Sequence, residues 1–244
     1  MIRIVHTFTS IQGEGIRQGY PTIFLRLFGC NAHCGFTKDK QGNLVRDESL
    51  WLCDSLESWK EGKENTIPLR SVIQLSDIIT DLGDNKNDIV FTGGEPLLHI
   101  NKQFITLLDH LHYMLGYQNI YFETNGSIDP RVFKHALTYV MFNCSPKTAN
   151  TGNTIQNYDA LKQITKVNGS CFKFVVTSLK DEEEIKVLQA HAEIPDHMIF
   201  LMPEGMDRES LHKHLPICAK LAIKNGWAVS NRMQVQIWNK TMGV

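Results

Sequence analysis

Three cysteines near the front of the chain hold the residue types most able to do chemistry. Cys30 and Cys34 bracket Asn31-Ala32-His33, and Cys53 follows after a further 18 residues. Three thiolates with no fourth nearby suit a four-iron cluster that leaves one iron open, whereas structural zinc wants four protein ligands. Two other readings stand beside it: free thiols, and zinc with His33 as fourth ligand, a set strained by the adjacency of His33 and Cys34. The second group is Thr92-Gly93-Gly94-Glu95-Pro96, which follows the apolar run Asp88-Ile89-Val90-Phe91. Two glycines let a ligand lie against the backbone, Glu95 offers an acceptor for an ammonium, and Pro96 stiffens the exit. An ordinary strand-to-helix turn has no need of that carboxylate.

Positioning such groups falls to a recurring unit, a short β-branched and aromatic run followed by ten to fifteen residues of helical period. The pattern predicts strands at Thr22-Phe28, Asp88-Thr92, Asn119-Glu123, Tyr139-Cys144, Cys171-Thr177, Met198-Met202 and Met233-Trp238. It predicts helices at Ser71-Leu82, Lys102-Leu115, Pro130-Leu137, Glu182-Ala192 and Arg208-Asn225. Alternation of this kind gives an α/β fold with a mostly parallel sheet covered by helices. Six or seven strands in 244 residues favour an incomplete βα barrel over a closed eight-fold one. Polar residues follow several strands, at Thr92 to Glu95, Glu123 to Gly126, Ser145-Pro146-Lys147 and Pro203-Glu204-Gly205, where α/β sheets build their sites. The polar stretch at 35–52 and the charged one at 56–68 read as excursions from a single domain covering 1–244.

The 25 Lys and Arg nearly cancel the 26 Asp and Glu, so no global field recruits nucleic acid or a membrane surface. With no signal-like opening and no apolar run of bilayer length, a cytoplasmic chain is expected. Six cysteines are too sparse for a disulfide scaffold. Cys144, Cys171 and Cys218 sit in apolar patterns and read as buried small hydrophobes. The pairs His110/His112 and His212/His214 are two apart, which does not place both on one helix face, so no metal site is read there.

A cysteine triad early in a βα-repeat chain, followed by Gly-Gly-Glu-Pro after the next core strand, resembles the radical S-adenosylmethionine (SAM) superfamily. Within it the chain is similar to the 7-carboxy-7-deazaguanine synthases of queuosine and 7-deazapurine biosynthesis. The matching stretches run nearly end to end: Ile11 to Gly15, Phe24 to Asn31, Cys53-Asp54-Ser55, Thr92 to Pro96, Glu123 to Gly126, Ser145-Pro146-Lys147, Phe172 to Val176 and Leu201 to Glu204.

That resemblance implies that Cys30, Cys34 and Cys53 hold a [4Fe-4S] cluster whose open iron chelates SAM. It implies SAM contacts from Leu52, Cys53, Asp54, Gly93, Gly94, Glu95, Asn125, Ser145, Pro146, Lys147, Met202 and Pro203. Ile11, Gln12, Gly13, Glu14 and Thr92 would surround a pterin, and Arg26 would take its carboxylate, for which a planar fork is suited. Glu14 and Arg26 are thereby the expected catalytic pair, with Gln236 and Val244 as further substrate contacts and Ser55 as a Mg2+ ligand. The implied reaction is reductive cleavage of SAM to a 5'-deoxyadenosyl radical. This takes a hydrogen from 6-carboxy-5,6,7,8-tetrahydropterin, whose ring contracts with loss of ammonia to 7-carboxy-7-deazaguanine. An electron donor such as flavodoxin or ferredoxin and a homodimer are implied as well.

The chain departs from the family pattern at three places. The usual third cysteine position holds Thr37, so Cys53 must be a displaced ligand. Widening a two-residue loop to 18 residues adds about 2 kcal/mol of closure entropy. Ser55 stands where the family usually has threonine, and Gln236 where it often has histidine. Two rivals share part of the pattern. One is another radical SAM enzyme, such as a glycyl-radical activase, which would not need Gln12, Glu14, Arg26 and Ser55. The other is a non-catalytic zinc-binding or regulatory relative.

Overall fold

The computed structural model describes residues 2–60, 66–69, 71–153 and 157–241. Its core is one nine-stranded sheet. From the centre outward to one edge run β2 (Pro21–Leu27), β6 (Asp88–Gly93), β7 (Ile120–Thr124), β8 (Val140–Cys144), β9 (Cys171–Val176), β10 (Ile199–Pro203) and β11 (Ala228–Val229), all parallel to their neighbours. Beyond β2 lie β1 (Arg3–Ile11), antiparallel to β2, and the two-residue β5 (Ile67–Pro68), antiparallel to β1. Seven successive parallel strands with helices on one face and two open edges make the incomplete barrel that the alternation predicts. A separate hairpin, β3 (Phe36–Lys38) with β4 (Leu44–Arg46), lies within the 35–52 excursion.

Period-two alternation divides the sheet into two faces. Ile23, Leu25, Ile89, Phe91, Ile120, Phe122, Phe142, Phe172, Phe174 and Leu201 point to the helical layer and join one buried core. There they meet α1 (Val72–Leu82), α2 (Lys102–Asp109), α4 (Asp181–Ala192) and α5 (Arg208–Asn225) through Ile79, Phe104, Leu188 and Leu221. The intervening positions Phe24, Arg26, Thr92, Glu123, Lys173 and Val175 turn inward and line a cavity. The same pleat that packs the protein therefore presents its polar residues.

Several expectations change at the level of elements. The helix predicted from Lys102 to Leu115 is α-helical to Asp109 and then widens to a π turn at His110–Met114. The segment predicted as a helix at Pro130–Leu137 is a 3-10 stretch broken at Lys134, whose φ is 53°. The strand expected at Met233–Trp238 is a helix, here α6, because the last ladder position is taken by β11 and a six-residue alternation does not by itself exclude a short helix. Strand β1 and helix α3 (Tyr158–Ile164) were not predicted.

Candidate active site

The inner face of the sheet encloses a cavity of about 540 Å³. One wall is the set of loops after the parallel strands, carrying Cys30, Cys34, Gly93, Gly94, Asn125, Ser145, Lys147, Met202 and Pro203. Opposite, Ile11 to Glu14 run on from β1, whose Ile11 pairs with Pro21 at the start of β2. The segment leading into α6 and the first residue of that helix complete the enclosure: the Met233 amide donates to the Gly13 carbonyl at 2.9 Å, and the Gly15 amide donates to Ser230 Oγ at 2.7 Å. Leu52, Cys53, Asp54 and Ser55 reach the same cavity from the far end of the excursion.

All three cysteines thus line one space. The displaced one is pinned by its backbone, with Cys53 N donating to the Cys34 carbonyl at 3.3 Å. Backbone amides of Ala32 and Ser55 point at the sulfurs of Cys30 and Cys53, each at 3.4 Å, and the Trp59 indole N–H lies 3.4 Å from Cys53 Sγ. Such donors stabilise sulfur that carries negative charge. Burial pushes the thiols of Cys30 and Cys53 up, to about 12 and about 11. Lys147 opposes this for Cys30 and Cys34. Among the described residues no group of three or more His, Cys, Asp or Glu side chains converges on a single ion. The four-ligand zinc arrangement is not formed, and the His33 ring instead meets Trp59 edge-on at 5.0 Å. Three cysteines on one cavity, two of them with donors aimed at sulfur, suit a cluster held by three thiolates.

Gly93 and Gly94 owe their identity to backbone approach. A Cβ on Gly93 would sit 2.2 Å from the Leu27 carbonyl oxygen, and one on Gly94 would sit 2.0 Å from that of Gly29. The glycines therefore press β6 against the segment that carries Cys30. Glu95 lies beneath the cavity and not on its wall. Its fully buried carboxylate accepts from Leu97 N at 3.0 Å, Thr124 Oγ1 at 2.8 Å and Asn125 N at 2.7 Å, tying the ends of β6 and β7 together. Pro146 is likewise buried outside the lining residues.

The other wall is a chain of alternating charges. Fully buried Lys173 reaches Glu14 Oε2 at 3.0 Å and Glu123 Oε2 at 2.5 Å, while Gln12 Nε2 donates to Glu123 Oε1 at 3.1 Å. Arg232 Nε donates to Glu14 Oε1 at 2.9 Å and Gln234 Nε2 to the same oxygen at 2.7 Å. Arg232 also pairs with Asp54 and donates to the Gly205 carbonyl at 2.8 Å. Burial alone would raise the Glu14 pKa, but the Lys173 and Arg232 charges outweigh it and hold this carboxyl far below the usual range. Glu14 is a fixed anion, built to accept N–H donors. Arg26 Nη1 donates to Ser55 Oγ at 2.7 Å and lies 3.4 Å from Glu57 Oε1. Its Nε is buried with no partner among the described residues, an orphan that a bound carboxylate would satisfy.

Of the residues expected to touch substrate, Ile11, Gln12, Gly13, Glu14, Arg26 and Thr92 line the cavity. Gln236 does not. Helix α6 turns it away from the cavity, where its carbonyl accepts from Arg208 Nε at 2.9 Å, and puts Gln234 on the wall instead. Val244 lies outside the described residues. Lys173, Glu123, Arg232 and Gln234 went unrecognised as site residues in the sequence. A lysine inside the apolar strand Cys171-Phe-Lys-Phe-Val-Val was the one available signal for the first of them.

An incomplete βα barrel with three cysteines on one cavity and a charged inner wall defines a mixed α/β enzyme. Its fold is that of QueE from Escherichia coli, whose crystal structure matches with a TM-score of 0.69 at 23% identity over 95% of this chain and 93% of that one. The 7-carboxy-7-deazaguanine synthase of Halobacterium salinarum is 31% identical over 95% of this chain and 88% of its own length. That of Rhodopirellula baltica is 29% identical over 98% of this chain and 88% of its own. No protein-family model matches. The chain belongs to the 7-carboxy-7-deazaguanine synthase family.

Proposed function

We infer that this chain is a radical SAM lyase that converts 6-carboxy-5,6,7,8-tetrahydropterin to 7-carboxy-7-deazaguanine with loss of ammonia. The observation that carries the reading is that one cavity joins three cysteines to a fixed Glu14 anion and to an Arg26 whose Nε has no partner among the described residues.

Cys30, Cys34 and Cys53 would hold a [4Fe-4S] cluster, with SAM along Gly93, Gly94, Asn125, Ser145, Lys147, Met202 and Pro203. Bound there, the cluster and SAM supply a carbon-centred radical able to abstract hydrogen. Glu14 and Gln12 would orient the N–H edge of the pterin, and Arg26 would hold its carboxylate through the fork that Nε now leaves open. The enclosing strands and the segment before α6 exclude water, so abstraction is confined to the atom these contacts place nearest. For Mg2+ the candidate ligand is Ser55 Oγ, which accepts from Arg26 and donates to Asp54 Oδ1 at 3.0 Å. It would be free to hold the ion if a bound carboxylate drew Arg26 away. A one-electron donor protein such as flavodoxin or ferredoxin and a homodimeric assembly complete the reading. Among the described residues no helix is long and apolar enough to cross a membrane.

The test is an anaerobic reaction of iron-reconstituted protein with SAM, Mg2+, a chemical reductant and the pterin, followed by mass spectrometry. Both 7-carboxy-7-deazaguanine and 5'-deoxyadenosine are expected, and both should vanish in Cys53→Ala. Deoxyadenosine alone would keep the radical chemistry and reject the substrate.

A further inference from the structure

We propose that the indole N–H of Trp59 is a hydrogen-bond donor to the thiolate of Cys53, holding this displaced ligand in place and raising the reduction potential of the cluster. The inference rests on the three-cysteine cluster of the preceding section and concerns a residue that neither sequence pattern nor substrate chemistry had singled out.

The geometry is specific. Trp59 Nε1 lies 3.4 Å from Cys53 Sγ, within the normal range for a donor to sulfur. The ring that carries it is fixed from two sides, edge-on to His33 at 5.0 Å between centroids and edge-on to Phe36 at 5.6 Å. Both partners flank Cys34, so the indole rests on the loop that carries the first two cysteines while its N–H reaches the third. The backbone repeats the connection. Leu56–Ser58 forms a 3-10 turn, the Trp59 amide donates to the Leu56 carbonyl at 3.1 Å, and the Ser58 carbonyl accepts from Gly29 N at 2.6 Å, one residue before Cys30. Two anchors thus link 53–59 to 29–36 independently of iron.

An N–H donor on a ligating sulfur stabilises the more negative, reduced state of a cluster, and hydrogen bonds to sulfur are among the factors that set such potentials. A backbone amide, that of Ser55, already points at the same sulfur at 3.4 Å. The indole adds a second donor from a side chain, where substitution can remove it without touching the main chain.

Trp59→Phe keeps an aromatic ring against His33 and Phe36 and loses the donor. Wild type and variant are reconstituted in parallel, iron per chain is measured, and the cluster is titrated potentiometrically with its electron paramagnetic resonance signal as readout. The expected result is a variant whose ratio of reduced to oxidised cluster at a fixed potential is at least threefold lower than wild type. Potentiometry reads only loaded molecules, so partial loading leaves the comparison intact. Complete loss of iron in a variant of unchanged Tm also supports the proposal, since the ring contacts persist and the donor alone is gone. If the variant should not fold, the isosteric benzothienylalanine at position 59, which replaces N–H by sulfur, makes the same comparison. Equal potentials in wild type and variant overturn the proposal and leave Trp59 a packing residue. A wild-type chain that takes up no iron overturns the cluster itself, an outcome distinct from equal potentials.

Discussion

The amide of Cys53 donates to the carbonyl of Cys34, and that one bond at 3.3 Å brings together two cysteines with 18 residues between them. The intervening chain is closed by hydrogen bonds of its own. Hairpin β3–β4 folds the excursion back, and Arg46 ties its base by donating to the carbonyls of Gly35 at 2.7 Å, Leu50 at 3.0 Å and Asp47. The entropy of the longer loop is thereby offset by hydrogen bonds within it.

Arg46→Ala should therefore loosen the third ligand without altering any cysteine. Hydrogen bonds to a charged donor contribute about 1.5–3 kcal/mol each when well formed, and part of that is lost at each abandoned carbonyl. The expected outcome is an intact fold that loses iron faster than wild type on dilution or mild chelation. Iron per chain against time after desalting measures it, and retention equal to wild type would separate the excursion from the cluster.

Gln234 and Gln236 make opposite predictions because α6 is a helix. Gln234→Ala removes a donor to the Glu14 carboxylate and should lower kcat/KM for the pterin by roughly tenfold or more, the scale of one charge-assisted hydrogen bond. Gln236→Ala should change it by less than about twofold, within the scatter of positions away from the site. Steady-state kinetics on the two variants decides the pair. A larger effect at Gln236 would contradict the helical assignment of Met233–Trp238.

This pair also marks where the sequence was legible and where it was not. Strands such as Cys171–Val176 announce themselves because β-branched and aromatic residues alternate with turn residues beyond them, and the cysteines and Gly-Gly-Glu-Pro follow their strands in the order that places them at one end. Met-Gln-Val-Gln-Ile-Trp alternates equally well, yet only Val235 is buried, and the helix is set by distant partners, Gly13 on one side and Arg208 on the other. Glu95 was misplaced for a related reason. A carboxylate beside two glycines suits an ammonium, but the amides of Leu97 and Asn125 reach it first, and their positions depend on β7 lying next to β6. Arg232 carries no local pattern at all, and Lys173 only its place inside an apolar strand. Their meaning comes from Glu14, more than 150 residues away in the chain.

Glu14 predicts an acid limit of stability. Its carboxyl sits below the ordinary value of 4.5 in the folded state because Lys173 and Arg232 more than overcome burial. A depressed folded pKa contributes stability that is present above the unfolded pKa and lost as pH falls below it. Glu14→Gln should be less stable than wild type at pH 7, and the gap should narrow below about pH 4.5 as wild type loses the ionic contribution. Urea midpoints at pH 7 and at acid pH measure the gap; a constant gap would mean that the carboxyl is not held ionised.

Lys173 is the most demanding member of the wall, since its ammonium is fully buried between two carboxylates. Burial alone would lower its pKa, but Glu123 and Glu14 raise it above the ordinary lysine value, so it is charged throughout the neutral range. Removing one partner of a buried ionic set leaves the others uncompensated and costs about 3–5 kcal/mol. Lys173→Met should reach that range in denaturant unfolding and should also disorder Glu14, which keeps only Arg232 and Gln234. The double variant Lys173→Met with Glu123→Gln removes one orphaned charge and should recover part of the loss, because the two positions touch and their effects are not additive. Recovery of stability without recovery of kcat/KM would show that the lysine does two separable things: it balances the wall, and it holds Glu14 where the pterin edge must arrive. A double variant no more stable than Lys173→Met alone would mean that Glu123 is satisfied by Gln12 and Asn143, whose amides reach its Oε1 at 3.1 Å and 2.9 Å, and that the buried charge belongs to Glu14 alone.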